Sequence, residues 1–215
     1  MNNTTIKKLN KIDRNDRIIN LSNEDIKGLI NFNEFEDLEV VYCKHNYIKK
    51  INGCNNKIKI LYCQNNKIKK LNSLPECLIK LNCSDNKIVS LKNLPISLNY
   101  LDCSNNNIVN LDYLPCSLVH LICSHNKIIL LDNLPCSLVH LNCSNNKIIS
   151  LNNLPNLLEN LICSDNPIEN LNNLPKSIIL LECKKITTTN ENIAYHDYKD
   201  YINYKNFKYY QNLYH

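Results

Sequence analysis

Hydrophobic and polar residues follow a pattern that repeats every 20 residues along most of the chain. One unit is defined by Leu118, Leu121, Cys123, Asn126, Ile128, Leu131 and Leu134, followed by Pro135. Because Leu121 and Cys123 are two residues apart, they point to the same side of a strand, whereas Ile122 points to the other side. The pattern therefore predicts one short strand per unit, with its leucine and cysteine in a core.

The pattern extends from about residue 38 to residue 183, which is seven full units and part of an eighth. A fixed period of this length is typical of a solenoid, in which each coil buries its apolar side against its neighbours. Neighbouring strands would then stack as a parallel sheet about 4.8 Å apart. Since 20 residues leave no room for a full helix opposite the sheet, we expect extended or 3₁₀ segments there.

Cysteine and asparagine occupy fixed places in the repeat. The structural cysteine positions are Cys43, Cys63, Cys83, Cys103, Cys123, Cys143, Cys163 and Cys183. Metal sites need ligands that converge on one point, whereas these residues form a line, so we interpret them as core filler. The structural asparagine positions are Asn46, Asn66, Asn86, Asn106, Asn126, Asn146 and Asn166. A buried asparagine must satisfy both its amide donors and its carbonyl oxygen. Cys116 and Cys136, outside the core column, are expected at or near the surface.

The unit resembles the leucine-rich repeat, L-x-x-L-x-L-x-x-N-x-L, with cysteine in the third apolar position. Its length and its Leu-Pro pair are similar to the short subclass found in secreted bacterial effectors, and to repeats of amoebae and their giant DNA viruses. The resemblance implies an α/β solenoid that is mostly β: a curved right-handed superhelix with a concave parallel β-sheet, an irregular or 3₁₀ convex side and helical caps. It also implies that the asparagines bond backbone groups of neighbouring coils as a ladder.

The segments on either side of the repeats lack the period and divide the chain into three regions. Residues 1–37 are predicted to be an N-terminal cap, with a helix that is capped by Ser22 or Asn23 and contains Ile26. Residues 38–186 form the predicted solenoid. Residues 187–215 are rich in tyrosine and lysine, and they are interpreted as a C-terminal cap or a docking tail.

The outward strand positions form a stripe of exposed aromatic and aliphatic side chains along the predicted concave sheet. Such a patch on a rigid scaffold is typical of a protein-binding surface, in which tyrosine is a favoured anchor. The predicted partner-binding residues are Tyr42, Ile60, Tyr62, Tyr100, His120, Ile122, His140 and Ile162. The sequence thus predicts a non-enzymatic protein-protein interaction scaffold whose partner is not identified, with no catalytic residue, no metal ligand, no cofactor and no small-molecule substrate.

Two alternatives stay open at this point. The chain could be a regulatory or adaptor subunit of an intracellular enzyme of the phosphatase or ubiquitin-ligase type. It could also be a basic module that binds nucleic acid or an anionic surface, because lysines concentrate in the first repeats. No known nucleic-acid motif accompanies those lysines, so the sequence favours a protein partner over nucleic acid.

Composition narrows the class of protein further. The formal net charge is +5, and the chain contains only two glycines, too few for the glycine-rich loops that bind phosphate groups. The sequence contains no run of about 18 apolar residues, so no membrane span is predicted. The first residues lack an apolar stretch of signal-peptide length, which predicts an intracellular location, in the cytoplasm of the organism or of an infected host cell.

Overall fold

The computed structural model describes residues 9–53 and 57–183, which form a solenoid of short parallel strands. Its strands are β1 Ile18–Asn20, β2 Lys27–Asn31, β3 Val40–Tyr42, β4 Tyr47–Asn52, β5 Ile60–Tyr62, β6 Lys80–Asn82, β7 Tyr100–Asp102, β8 His120–Ile122, β9 His140–Asn142, β10 Asn160–Ile162 and β11 Leu180–Glu182. Within the described residues, no helix has the length and apolar character needed to cross a bilayer.

Nine of these strands form one parallel sheet in the order β1-β3-β5-β6-β7-β8-β9-β10-β11. From β3 onward each residue pairs with the one 20 positions later, so Leu101 lies beside Leu121, and Leu121 beside Leu141. Parallel neighbours cannot be joined by a tight hairpin, and here the remainder of each coil makes the return. The predicted parallel sheet is therefore confirmed, and its register is the sequence repeat itself.

The core runs along the whole solenoid as stacked rows of equivalent side chains. In the fifth repeat Leu118, Leu121, Cys123, Ile128 and Leu131 are each at most 2% exposed. The same positions are buried in the preceding and following coils. Burial of this continuous apolar column, coil against coil, is the main force that stabilises the fold.

Each regular coil turns at two residues in the left-handed backbone conformation. The first turn position has φ between 52° and 58° and is occupied by His45, Asn65, Asp85, Asn105, His125, Asn145 and Asp165. The second has φ between 59° and 71° and is occupied by Ser73, Asn93, Tyr113, Asn133, Asn153 and Asn173. Asparagine and aspartate tolerate this conformation better than other residues with a side chain. The turns thus rely on asparagine, which explains how a solenoid forms with only two glycines.

The side opposite the sheet is extended between its turns, and the last turn of each coil comes just before the next strand. In this turn the N–H of Leu98 donates to the carbonyl of Pro95 at 3.2 Å, and the bond recurs from Leu118 to Pro115. The Ser117 hydroxyl then ties neighbouring coils by donating to the carbonyl of Leu98 in the preceding coil at 2.7 Å. The expectation of extended segments is met, whereas 3₁₀ helix is absent from the described coils.

The predicted helix after Ser22 is wrong. Residues 18–31 instead contain β1, which pairs with β3 in the main sheet, and β2, which pairs with β4 in a separate two-stranded sheet. Gly28 has φ 79° and lies at a bulge, which a helix does not accommodate. Ile26 behaves as a repeat residue, since its N–H donates to Asn46 Oδ1 at 2.9 Å. The predicted helical cap within residues 187–215 lies outside the described residues.

Candidate functional site

The candidate site is the outward face of the nine-stranded sheet, which we call the sheet face. In each three-residue strand from β3 to β10 the middle residue is buried in the core, and the two flanking residues project outward. In-register pairing places equivalent residues side by side, so the flanking residues form two columns along the solenoid. The first column contains Val40, Ile60, Lys80, Tyr100, His120, His140, Asn160 and Leu180, and the second contains Tyr42, Tyr62, Asn82, Asp102, Ile122, Asn142, Ile162 and Glu182.

The rings of Tyr42 and Tyr62 stack on one another at the start of the second column. Their centroids are 5.1 Å apart and their planes differ by 3°. The spacing of parallel strands is close to the distance at which offset aromatic rings attract. Register alone therefore brings the two rings into contact, and each restricts the rotamers of the other.

Lys80 connects this pair to the first column. Its Nζ is 5.6 Å from the centroid of Tyr62 and 4.6 Å from the centroid of Tyr100. A lysine ammonium over the face of an aromatic ring is attracted by the ring's negative face. Because Lys80 contacts Tyr62 in the second column and Tyr100 in the first, it joins the stacked pair Tyr42 and Tyr62 to Tyr100 in one continuous surface.

Two histidines continue the row beyond Tyr100. Tyr100 and His120 have ring centroids 6.0 Å apart, and the rings of His120 and His140 stack at 4.2 Å. His140 Nδ1 is 2.5 Å from the side-chain amide nitrogen of Asn160, which can donate to it. The contacts thus run without a gap from Tyr42 on β3 to Asn160 on β10.

Burial keeps both imidazoles neutral. Loss of solvent, with smaller contributions from His140 and Lys80, lowers the pKa of His120 to about 4. Loss of solvent also lowers the pKa of His140, although Glu159 opposes this effect. At neutral pH the centre of the sheet face therefore presents two uncharged rings, which lack the mutual repulsion of stacked imidazolium ions.

Asp102 places a carboxylate in the second column, where it is only 8% exposed. Burial raises the pKa of Asp102, and hydrogen bonds from the hydroxyl and N–H of Ser104 oppose that rise. The side-chain amide of Asn82 also donates to Asp102 Oδ2 at 3.2 Å. These bonds hold a hydrogen-bond acceptor at a fixed place beside the row of rings.

Known structures match this architecture, although no protein-family model matches the sequence and a comparison with curated proteins finds no match. YopM, described as a leucine-rich effector protein from Yersinia pestis, is 27% identical with a TM-score of 0.64, over 78% of this chain and 65% of that one. The chain has the leucine-rich repeat fold. The match covers less than two thirds of YopM's own length.

Two further leucine-rich repeat structures share the fold. The domain of a Shigella effector is 24% identical with a TM-score of 0.63, over 77% of this chain and 74% of that one. The functional domain of InlJ from Listeria monocytogenes is 24% identical with a TM-score of 0.58, over 86% of this chain and 51% of that one. The description of InlJ says that it includes a cysteine ladder. A column of cysteines is thus compatible with this architecture.

The cysteine column of this leucine-rich repeat fold lies behind the sheet face. Cys43, Cys63, Cys83, Cys103, Cys123, Cys143 and Cys163 are fully buried, and Cys183 in the last described coil is half-buried. Burial raises the pKa of Cys143 to about 12, so its thiol stays protonated at neutral pH. Among the described residues, no three His, Cys, Asp or Glu side chains converge in a way that could hold a metal ion.

The asparagine positions form a continuous ladder next to the cysteines. Asn86 Nδ2 lies 3.1 Å from the carbonyl of Cys63 in the preceding coil and 3.1 Å from that of Cys83 in its own coil. Asn86 Oδ1 accepts from the N–H of Ile68 at 2.9 Å. Equivalent bonds occur at each of the seven positions. Each asparagine therefore joins two coils and fixes the register on which the sheet face depends.

The predicted partner-binding residues do not form one cluster. Tyr42, Tyr62, Tyr100, His120 and His140 belong to the row of rings. Ile60 lies in the first column, between Val40 and Lys80, and is not part of the row. Ile122 and Ile162 share a column but are separated by Asn142, so they make no continuous apolar patch.

Three residues of the sheet face were not predicted as site residues. They are Lys80, Asn160 and Asp102, each of which contacts a neighbouring strand or turn of the face. A sequence signal existed, since the 20-residue period places Lys80 and Asn160 in the same column as Tyr100. Their contacts depend on side-chain directions that the period does not specify.

Proposed function

We propose that the chain is a non-enzymatic scaffold that binds a protein partner through the sheet face. The observation that carries the proposal is the unbroken row of side chains from Tyr42 to Asn160 on adjacent strands. Two of the similar leucine-rich repeat structures are described as effectors, which agrees with a binding role.

Preorganisation makes this row suited to binding. A side chain that becomes fixed on association costs about 0.5–1.5 kcal/mol of entropy. Tyr42 and Tyr62 already restrict one another, as do His120 and His140, so part of that cost is met in the free protein. Partly exposed tyrosine rings supply contact area with a hydroxyl at the rim, the composition typical of binding hot spots.

The chemistry of the face favours binding over catalysis. A cysteine nucleophile needs an exposed thiolate beside a base. The ladder cysteines are buried behind the sheet, and burial raises the pKa of Cys123 far above its ordinary value. The lowered pKa of His120 makes it a weak base at neutral pH. A regulatory or adaptor role would use the same face, with an enzyme as the partner.

Site-specific photo-crosslinking in the native cell tests this function. A photoreactive phenylalanine analogue at Tyr62 or Tyr100 is expected to form adducts with one protein partner. The matched control is Tyr113, which is 61% exposed and lies at the second turn, outside the strands of the sheet. Adducts from Tyr113 but none from Tyr62 or Tyr100 would contradict the proposal.

Alanine variants then test whether the row supplies affinity. Tyr62→Ala and Tyr100→Ala should each weaken binding of the identified partner by about 10-fold to 100-fold, the range for an anchor worth 1.5–3 kcal/mol. Tyr113→Ala should leave the dissociation constant unchanged. Equal affinities for all three variants would show that the partner binds elsewhere.

An intracellular location is part of the proposal. The exposed Cys116 and Cys136 are free thiols, as are the buried ladder cysteines. Unpaired thiols of this number suit a reducing compartment. Alkylation of the protein in intact cells, followed by mass spectrometry, should label Cys116 and Cys136. Their recovery as disulfides would argue for an oxidising compartment.

A further inference from the structure

A second surface follows each asparagine turn, next to the sheet face. In the second repeat Lys67, Lys69 and Lys70 are exposed there, while Ile68 between them is buried. The N–H of Lys67 donates to the carbonyl of Ile48 at 2.8 Å, and the bond recurs at Lys87, 20 residues later. These bonds hold equivalent residues in register. We call this surface the lateral face; its basic members are Lys27, Lys49, Lys50, Lys67, Lys69, Lys70, Lys87, Lys127 and Lys147.

A row of exposed aliphatic side chains continues the lateral face toward the C-terminal coils. Its members are Val89, Val109, Ile129 and Ile149, which are 52%, 48%, 47% and 44% exposed. They occupy the position that Lys69 has in the second repeat, and Leu130, 52% exposed, lies beside Ile129. At the spacing of stacked strands the row is about 14 Å long. Four half-exposed aliphatic residues in line form an apolar ridge rather than scattered surface positions.

The lysines of the lateral face lack carboxylate partners, in contrast to Lys57 and Lys59. Lys57 pairs with Asp37 and Lys59 pairs with Glu39. Within the part of the chain that the structure describes, no ion pair to a carboxylate involves the nine lateral lysines. The acidic residues on this face or at its border are Asp25, Asp85, Asp165 and Glu169. Like charges directly opposite on neighbouring strands repel one another, so an external anion would stabilise the surface.

Tyr47 adds an aromatic side chain among the lysines. It is 43% exposed, and its ring centroid is 5.7 Å from Lys27 Nζ and 4.6 Å from Lys67 Nζ. Tyrosine is one of the side chains enriched at the level of lipid headgroups, because one end of it is apolar and the other polar. The lateral face thus combines lysines, an interfacial tyrosine and an aliphatic ridge.

We propose that the lateral face docks the protein on an anionic lipid bilayer. Lysines near a membrane surface are attracted by acidic headgroups, and aliphatic side chains gain by entering the boundary between headgroups and acyl chains. The similar exposure of Val89, Val109, Ile129 and Ile149 gives the ridge a constant height, which suits a flat bilayer. A nucleic acid would use the lysines but would gain little from the aliphatic row.

Vesicle flotation with the full chain tests this docking surface. The probes are vesicles of phosphatidylcholine alone, and of phosphatidylcholine with about one-third phosphatidylserine. We expect binding only to the second kind. Each lateral lysine near the bilayer raises the partition coefficient of the protein onto acidic vesicles about fivefold. The triple variant K67Q/K69Q/K70Q should therefore bind phosphatidylserine vesicles about 100-fold more weakly. Absence of binding to phosphatidylserine vesicles, or equal binding to both kinds, would overturn the proposal.

The aliphatic variant I129S/I149S separates a bilayer from a simple polyanion. It should bind phosphatidylserine vesicles at least about tenfold more weakly, because two side chains no longer enter the boundary region. Controls are I96S, whose isoleucine is 86% exposed on another surface, and K92Q/K176Q, which removes two lysines outside the lateral face. All variants replace exposed residues, and unfolding curves should match the wild type. Undiminished binding by I129S/I149S would show that the lysines alone act, as for nucleic acid.

Discussion

Replacement of Asn86 by alanine probes the ladder that joins the coils. The side chain is 8% exposed and donates to the carbonyls of Cys63, Cys83 and Ser84. Each of these carbonyls keeps another donor after the change. The side chain of Asn66 still donates to Cys63, that of Asn106 still donates to Cys83, and the N–H of Asn65 still donates to Ser84. The N–H of Ile68 is different, because the acceptor shown for it is Asn86 Oδ1. Asn86→Ala therefore leaves one buried donor without a partner and weakens the hydrogen bonding of three acceptors.

The magnitude follows from these roles. A buried donor without a partner costs about 1–3 kcal/mol. Three carbonyls that each lose one of two donors add about 1 kcal/mol together. We expect Asn86→Ala to lower the free energy of unfolding by about 2–4 kcal/mol. Asn86→Asp should destabilise at neutral pH as well, because it keeps the acceptor for Ile68 but faces three carbonyl oxygens with a carboxylate.

Urea denaturation monitored by circular dichroism measures this loss, with Asn110→Ala at an exposed position as the matched control. Hydrogen exchange gives the local readout. The amide of Ile68 should exchange faster in the variant, whereas the amide of Ile128, bonded to Asn146, should be unchanged. A change in unfolding free energy below about 0.5 kcal/mol, with Ile68 still protected, would refute the reasoning.

Three further predictions concern the core, the sheet face and the turns. Cys123→Ser should destabilise by about 1–3 kcal/mol in urea denaturation, because it buries a hydroxyl in an apolar row, whereas Cys116→Ser at the surface should be neutral. The lowered folded-state pKa of His120 means that its neutral form stabilises the fold fully above pH about 6.5. That contribution, about 1–2 kcal/mol after allowance for solvent screening, should disappear as the pH falls to about 4, and His120→Phe should flatten the thermal-stability profile in this range. At the first turn position, where φ is 53° for His125, His125→Asn should raise the free energy of unfolding by about 0.5 kcal/mol, whereas Asn105→Val should lower it by about 1–2 kcal/mol. If thermal melts showed both variants shifted in the same direction, the turn assignment would be contradicted.

The candidate site was predictable in outline but not in its contacts. Alternation along a strand and a fixed period identify Tyr62, Tyr100 and His120 as outward residues. The diagonal bridge by Lys80 and the bond from Asn160 to His140 depend on side-chain directions in a crowded face. The lowered pKa of His120 depends on burial by residues of neighbouring repeats, so the pattern within one repeat does not reveal it.

The repeat pattern was enough to specify the coil, because each repeat carries its own strand, turn and core residues at constant spacing. It did not determine how residues 18–31 fold. Ile26 and Ile30 fit one face of a helix as well as they fit an irregular coil, and local pattern cannot separate the two. The structure makes them a coil because the amide of Ile26 finds an acceptor on Asn46, 20 residues away, and β1 pairs with β3. Local periodicity thus fixed the repeating unit, whereas hydrogen bonds between coils decided where the solenoid starts and which side chains meet on its faces.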